Sequence, residues 1–209
     1  MTKFYFVRHG QTKVNLRHAF NGGGVDEPLT ALGVAQAQQM GQYLAKVRFA
    51  QAISSSMPRA VTTTHLILAK NAYPTPLATA NGLRELRLGP WDGQIEADVS
   101  DTQALDAYFH RPAEFDAKYA PNLGIEPYGH LLKRSRAVIQ AAYAAHPAAN
   151  LLVVGHGILF QFLLNSLLGV PFDELRKPPM LHNATLSRLD TLDGKHYVRR
   201  QWDFAPGIN

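Results

Sequence analysis

Short apolar runs alternate along this chain with longer segments of helical character. Phe4–Val7 is a continuous apolar run of strand length. Thr30 offers a side-chain oxygen ahead of a segment rich in alanine and glutamine, which predicts a capped helix running to about Lys46. Gln51–Ser54 reads as a second short strand, and Pro58, tolerated in a first helical turn, starts another helix. Asn150–Val154 is a further apolar strand, followed by a helix through Leu168. In "TLSRLDTLDGKHYVRRQW" the pair Asp193-Gly194 separates two alternating runs, the pattern of a β-hairpin. Strands alternating with helices predict an α/β fold, a three-layer α/β/α sandwich around a mostly parallel central sheet with an antiparallel edge. From Trp91 to about Pro127 the rhythm breaks, with a helix expected over Thr102–Phe109. This segment reads as a small helical insertion over one sheet edge, either a lid or substrate wall or a decoration packed on the surface. No repeat or linker divides the chain, so 1–209 is read as one domain.

Composition narrows the classes. Hydrophobic residues make up 46% and charged residues 18%, ordinary for a globular protein long enough to bury a core. The absence of cysteine excludes disulfides, zinc–thiolate sites and a cysteine nucleophile. The first strand begins almost at once, leaving no room for a signal peptide. The longest apolar stretch, Leu151–Val170, is interrupted by His156, Gln161, Asn165 and Ser166, too polar for a membrane span. A cytoplasmic location is expected. The net charge of +5 suits anionic partners: nucleic acid, an anionic membrane or small phosphorylated molecules. Apart from Arg199-Arg200 the basic residues are scattered, with no stripe and no stacking motif, which disfavours nucleic acid. A small phosphorylated substrate is the expected partner, with no membrane, and a homodimer stays open.

Two strands end alike. "FYFVRHG" (4–10) and "LLVVGHG" (151–157) each deliver a histidine, His9 or His156, beside glycine at a strand end. In a parallel sheet such ends line one edge, where ligands bind, and glycine lets a ligand come close. Arg59, in "SSSMPRAVTTT", falls in the first turn of a helix, where free amides and the dipole favour an anion. Glu85 lies between Leu83 and Leu86 in "LRELRLGPWDG", open to a plain salt bridge with Arg84 or Arg87 or to chemistry.

These stretches, in this order, resemble the histidine phosphatase superfamily, the phosphoglycerate mutase-like proteins. "VRHGQTKVN" resembles the family's R-H-G-x-T-x-x-N opening through Asn15, "SSMPRAVTT" its second-arginine motif, "LRELRLGPWDG" its acid motif and "VVGHG" its second histidine. "FNGGGVDEPLTALG" is similar to the loop leading into the family's first helix. The resemblance implies a phosphoglycerate mutase-like fold and a metal-independent mechanism without cofactor. His9 would attack phosphorus to give a phosphohistidine, one ring nitrogen unprotonated and the other held by an acceptor such as a backbone carbonyl. Arg8, Arg59 and His156 would surround the phosphoryl oxygens. Asn15, Arg17, Asn21, Gly22 and Asn183 would complete the phosphate and substrate site. Glu85 would give a proton to the leaving oxygen and take one from water, its protonated form favoured by a nearby dianionic phosphate.

Other phosphate and hydrolase chemistries lack their signatures: there is no G-x-x-x-x-G-K-S/T loop, no D-x-D run, no H-E-x-x-H and no G-x-S-x-G. His65, His110, His146 and His196 read as surface or capping residues, while His18, His130 and His182 could line the pocket. One departure stands out: Glu126 is followed by Pro127 where the family often has serine. Among functions, a phosphomonoesterase acting on a small phosphorylated metabolite is favoured over a phosphoglycerate mutase. The insertion carries only Arg111 and Lys118 as fixed cations for gripping a second phosphate. A non-catalytic phospholigand-binding module is a third alternative.

Overall fold

Successive residues of a strand point to opposite faces, and that rule sorts the core of this chain into two halves. In the computed structural model, which describes residues 1–207, strand β1 (Thr2–Arg8) sends Phe4 and Phe6 into one apolar cluster and Tyr5 and Val7 into another. The remaining principal elements are α1 (Ala31–Tyr43), β2 (Gln51–Ser55), α2 (Pro58–Leu68), β3 (Leu77–Ala80), α3 (Thr102–His110), α4 (Tyr128–Ala145), β4 (Asn150–Gly155), α5 (Gly157–Leu167), β5 (Leu186–Thr191) and β6 (Tyr197–Phe204). Strand β4 divides in the same way, Leu151 and Val153 to one side and Leu152 and Val154 to the other. Met40 of α1 with Ala60 and Ile67 of α2 closes the second cluster; Tyr108 of α3, Leu131 of α4 and Leu163 of α5 belong to the first. Helices therefore cover both faces, and the fold is the expected α/β/α sandwich.

The sheet order is β3-β2-β4-β1-β5-β6. Pairing is parallel from β3 through β1, then antiparallel to β5 and from β5 to β6, so the antiparallel edge is the hairpin that carries Asp193-Gly194. β1 and β4 are parallel neighbours, with Arg8 opposite Gly155. The helices that follow them, α1 and α5, lie on opposite faces. That divergence makes the ends of β1 and β4 a topological switch point, a crevice open to ligands.

One helix end falls short of expectation and one strand is additional. Helix α1 stops at Tyr43, short of Lys46, because Asn71 Nδ2 donates to the carbonyls of Leu44 and Val47 and the Ala72 N–H to that of Ala45. Strand β3 was not predicted: "LATA" is four residues long, only partly buried, and owes its form to pairing with β2. The insertion is more than decoration. Its Trp91, Tyr108 and Phe115 join the same cluster as Phe4 and Phe6, and Phe115 packs on Tyr128 of α4 with centroids 5.4 Å apart. Among the described residues no helix is long and apolar enough to cross a membrane.

Candidate active site

The two strand-end histidines meet. Their ring centroids are 5.2 Å apart, and the His9 N–H donates to the Gly155 carbonyl at 2.9 Å. Both are buried, His9 2% exposed and His156 fully enclosed. His9 Nδ1 lies 2.8 Å from the Gly10 carbonyl, which can only accept, so Nδ1 carries the proton and Nε2 keeps its lone pair. Burial, then the charges of Arg59 and Arg8, hold the His9 pKa well below 6.5. At neutral pH the ring is therefore uncharged, as a nucleophile must be. Burial, Arg59, His9 and Arg8 depress His156 likewise. His156 Nε2 sits 2.7 Å from Ser55 Oγ, and its Nδ1 is buried without a partner.

Arg8 enters from the end of β1, donates Nη1 to the Leu181 carbonyl and packs against Gly157, whose missing Cβ leaves room for the guanidinium. Burial pushes its pKa down to about 10, so it stays charged. Arg59, 1% exposed in the first turn of α2, donates Nη1 to the Val25 carbonyl at 2.6 Å and to Asp26 Oδ1 at 3.1 Å. Its Nη2 donates to the carbonyls of Asn21 and Gly22 at 3.2 and 3.1 Å. In both arginines Nε is buried and unbonded. Together with His156 Nδ1, three buried nitrogens lack a partner around His9. Buried polar groups are rarely left so, and two fixed positive charges beside them fit an anion.

Glu85, 4% exposed, forms no salt bridge with Arg84 or Arg87. Its Oε1 accepts the N–H groups of Leu86 and Leu159, each at 2.9 Å, and its Oε2 the Ile158 N–H at 3.0 Å. The carboxylate thus caps α5, the helix that follows His156, whose own side chain makes no cap bond. A carboxylate offers about four acceptor directions. Both on Oε1 are taken and one on Oε2 stays open, which makes Oε2 the oxygen able to carry a transferable proton.

The remaining predicted residues divide. Asn15 and Asn183 line the cleft: Asn15 Oδ1 accepts the Thr12 N–H at 3.0 Å, and Asn183 Nδ2 donates to the His9 carbonyl at 3.0 Å. Asn21 also lines it, its Nδ2 bonded to Thr12 Oγ1 at 3.0 Å. Gly22 does not. It packs against the acid segment so closely that a Cβ would fall 2.7 Å from the Leu86 carbonyl, and its own carbonyl holds Arg59. Arg17 is not brought to the site either. Its side chain is 54% exposed and paired with Glu27 at 2.6 Å, because the helical turn Lys13–Leu16 carries it outward. His18 lines the cleft, whereas His130 is paired with Glu126 and His182 with Asp203, both outside it.

The cleft has a volume of about 340 Å³. Arg8, Glu85, Asn15 and Asn183 line it together with Phe20, Tyr108, Phe109 and Met180, while His9, Arg59 and His156 are buried and do not line it. Arg111 and Lys118, the cations counted from the insertion, are elsewhere: Arg111 is paired with Asp106 and Glu114, and Lys118 with the Tyr119 hydroxyl. Besides Arg8, the cleft is lined by Arg176, which the sequence did not single out. Ser55 was missed as well, although it directly follows the β2 residues expected as strand. Among the described residues no group of three or more His, Asp or Glu side chains could hold a metal ion.

A neutral imidazole set among charged arginines at a switch point is an arrangement for moving a phosphoryl group. The class it defines is a phosphohydrolase-type enzyme on an α/β sandwich. The family model "Histidine phosphatase superfamily (branch 1)" matches residues 4–203, and the chain belongs to that superfamily. A probable phosphoglycerate mutase GpmB of Proteus mirabilis is 33% identical over 194 residues, 91% of this chain and 85% of that protein. Among solved structures, YhfR of Bacillus stearothermophilus superposes with a TM-score of 0.85 at 25% identity, covering 95% of each chain. A mycobacterial glucosyl-3-phosphoglycerate phosphatase, solved in complex with VO3, gives a TM-score of 0.79 at 26% identity, covering 96% of this chain and 98% of that one.

Proposed function

We propose that the chain is a metal-independent phosphomonoesterase that hydrolyses a small phosphorylated metabolite through a phosphohistidine on His9. The observation that carries this reading is the 2.8 Å contact between His9 Nδ1 and the Gly10 carbonyl, which leaves the Nε2 lone pair free beside three unbonded buried nitrogens. Nε2 attacks phosphorus, the bond from phosphorus to the ester oxygen breaks, and Glu85 delivers a proton from Oε2 to that oxygen. Arg8, Arg59 and His156 meet the phosphoryl oxygens and offset their charge during transfer. Water then attacks phosphorus, Glu85 takes its proton, the P–N bond breaks, and His9 and inorganic phosphate are released. Asn15 and Asn21 add neutral donors beside the phosphate site, while the Asn183 amide, bonded to the His9 carbonyl and Asn15 Oδ1, holds the strand end and Asn15 in place.

The test is hydrolysis of p-nitrophenyl phosphate with EDTA present. Turnover that falls at least about a thousandfold in His9→Ala, and that vanadate inhibits as a five-coordinate mimic, supports the reading. Strict dependence on a divalent ion, or normal turnover in His9→Ala, overturns it. The name of the Proteus relative favours a second reading, a phosphoglycerate mutase that returns the phosphoryl group to the glycerate instead of to water. Efficient conversion of 3-phosphoglycerate to its 2-phospho isomer, stimulated by 2,3-bisphosphoglycerate, would replace hydrolysis by this reading.

A further inference from the structure

Arg176 lies between α5 and β5 and forms part of the cleft wall. Its guanidinium lies over the rings of Tyr108, 4.5 Å from the centroid, and Phe109, 5.0 Å away. Nη1 donates to Gln161 Oε1 at 2.8 Å, and Gln161 Nε2 bonds in turn to the carbonyls of Arg176 and Pro178. Gln161 is itself buried, 4% exposed, on α5. The arginine is thus fixed from the side by one neutral amide and from below by two aromatic faces. What it lacks is a carboxylate: no Asp or Glu among the described residues pairs with it, whereas Arg8's companion Arg59 has Asp26. The Arg176 charge is supported by the Tyr108 side chain and by the Glu85 carboxylate of the same cleft lining, but among the described residues no ion pair occupies its fork, and the natural complement of such a fork is an anion. The carboxylate on the cleft lining nearest solvent, Glu96, is exposed and sits on a short turn of the insertion.

The mount matters as much as the charge. Helix α5 holds Glu85 through the amides of Ile158 and Leu159 and holds Arg176 through Gln161. The candidate proton donor and the unpaired cation are therefore kept at a constant spacing by one rigid element, and the cleft between them is larger than a phosphoryl group alone would fill.

We propose that Arg176 is a second anion anchor: the phosphomonoester that enters this cleft carries a further negative group, a carboxylate or a second phosphate, on its leaving-group side, and Arg176 binds it. This rests on the phosphomonoesterase reading for the placement of the first phosphate. The second cation thus comes from the segment after α5, not from the insertion.

The experiment compares matched pairs. 3-Phosphoglycerate and glycerol 3-phosphate differ by a carboxylate against a hydroxymethyl group; fructose 1,6-bisphosphate and fructose 6-phosphate differ by a second phosphate. The wild-type enzyme is expected to prefer the more anionic member of at least one pair by tenfold or more in kcat/KM, and the pair concerned identifies the anion. Arg176→Met, which keeps an apolar stem over Tyr108, should bring that ratio to within twofold, and Arg176→Lys should keep part of it. A wild-type ratio within twofold for both pairs overturns the inference whether or not the variants fold, and so does a folded Arg176→Met that keeps the preference. Calorimetric binding of the same pairs gives the ratio without turnover. Failure of the wild type to hydrolyse p-nitrophenyl phosphate counts against the phosphomonoesterase reading, while the binding ratio still decides the role of Arg176.

Discussion

Asp116 of the insertion caps the helix that begins at Tyr128: its Oδ1 accepts the Tyr128 N–H at 2.6 Å and its Oδ2 the Gly129 N–H at 2.8 Å. Pro127 occupies the cap position itself and has no side-chain oxygen to offer. The departure at Glu126-Pro127 is thereby compensated from another segment, and one carboxylate both satisfies two free amides and ties the insertion to α4. Asp116→Ala is expected to cost about 1–2 kcal/mol, the size of a lost helix cap. Urea unfolding measures it, and Asp116→Asn, which keeps one acceptor, should lose less. An unchanged midpoint in Asp116→Ala would show that water replaces the cap without penalty.

Glu126 has a structural task of its own. Arg134 bonds both of its oxygens, at 2.7 and 2.8 Å, and also donates to the carbonyls of Gly82, Arg84 and Glu85 at 2.9, 2.6 and 3.2 Å. Burial tends to raise the Glu126 pKa, but Arg134, His130 and the Arg87 N–H together hold it below its ordinary value. Arg134→Met strands a largely buried carboxylate and three carbonyls, at a cost of about 3 kcal/mol. For a chain of this size that corresponds to a fall in Tm of roughly 6–12 °C. Because the released segment carries Glu85, kcat should fall more than vanadate affinity. Equal losses in both would assign Arg134 to general stability alone.

How legible this was depended on how local each signal is. Phe4–Val7 and Asn150–Val154 announce themselves because a buried parallel strand is apolar throughout, and the histidines follow directly. Arg59 and Glu85 were legible as motif positions, but the capping of α5 by Glu85 joins residues more than seventy positions apart and leaves no local trace. Asp116 at α4 and Asn71 at the end of α1 are caps of the same long-range kind. Arg176 sits in an irregular segment where nothing nearby signals that Tyr108 and Phe109 will lie under it. Arg17 is the converse case: the family resemblance put it in the substrate site, but one helical turn rotates it to solvent.

The two buried histidines set an acid limit on stability. Unfolded, each binds a proton near pH 6.5; folded, each resists it, since burial, then Arg59, lowers both pKa values well below that. The unfolded chain therefore holds more protons below about pH 6.5, and stability falls as pH falls through that range. Each histidine should remove at most about 1.4 kcal/mol between about pH 7.5 and pH 5.5, the limit for a ring that stays neutral when folded throughout that range. Unfolding curves for the wild type and His156→Asn at both pH values isolate the effect: the loss should shrink by about one histidine's share in the variant. Identical pH dependence in the two proteins would place a proton on His156 in the folded state.

Among the described residues Ser55 is the sole side chain bonded to His156, at 2.7 Å, and it also accepts the Met57 N–H at 3.3 Å. With an acceptor site of Oγ used by that amide, its hydroxyl proton is free to point at His156 Nε2. The hydrogen then sits on Nδ1, the nitrogen left unbonded and buried next to His9. Ser55→Ala leaves Nε2 unsatisfied and releases the choice of tautomer, so the donor offered to a bound phosphoryl group is lost for part of the population. The expected result is vanadate binding weaker by about tenfold, the value of roughly one hydrogen bond to a charged group, with the unfolding midpoint moved much less than in Arg134→Met. Ser55→Thr, which restores a hydroxyl at the same place, should recover most of the affinity. Full vanadate affinity in Ser55→Ala would mean that His156 meets the phosphoryl oxygens without help from Ser55.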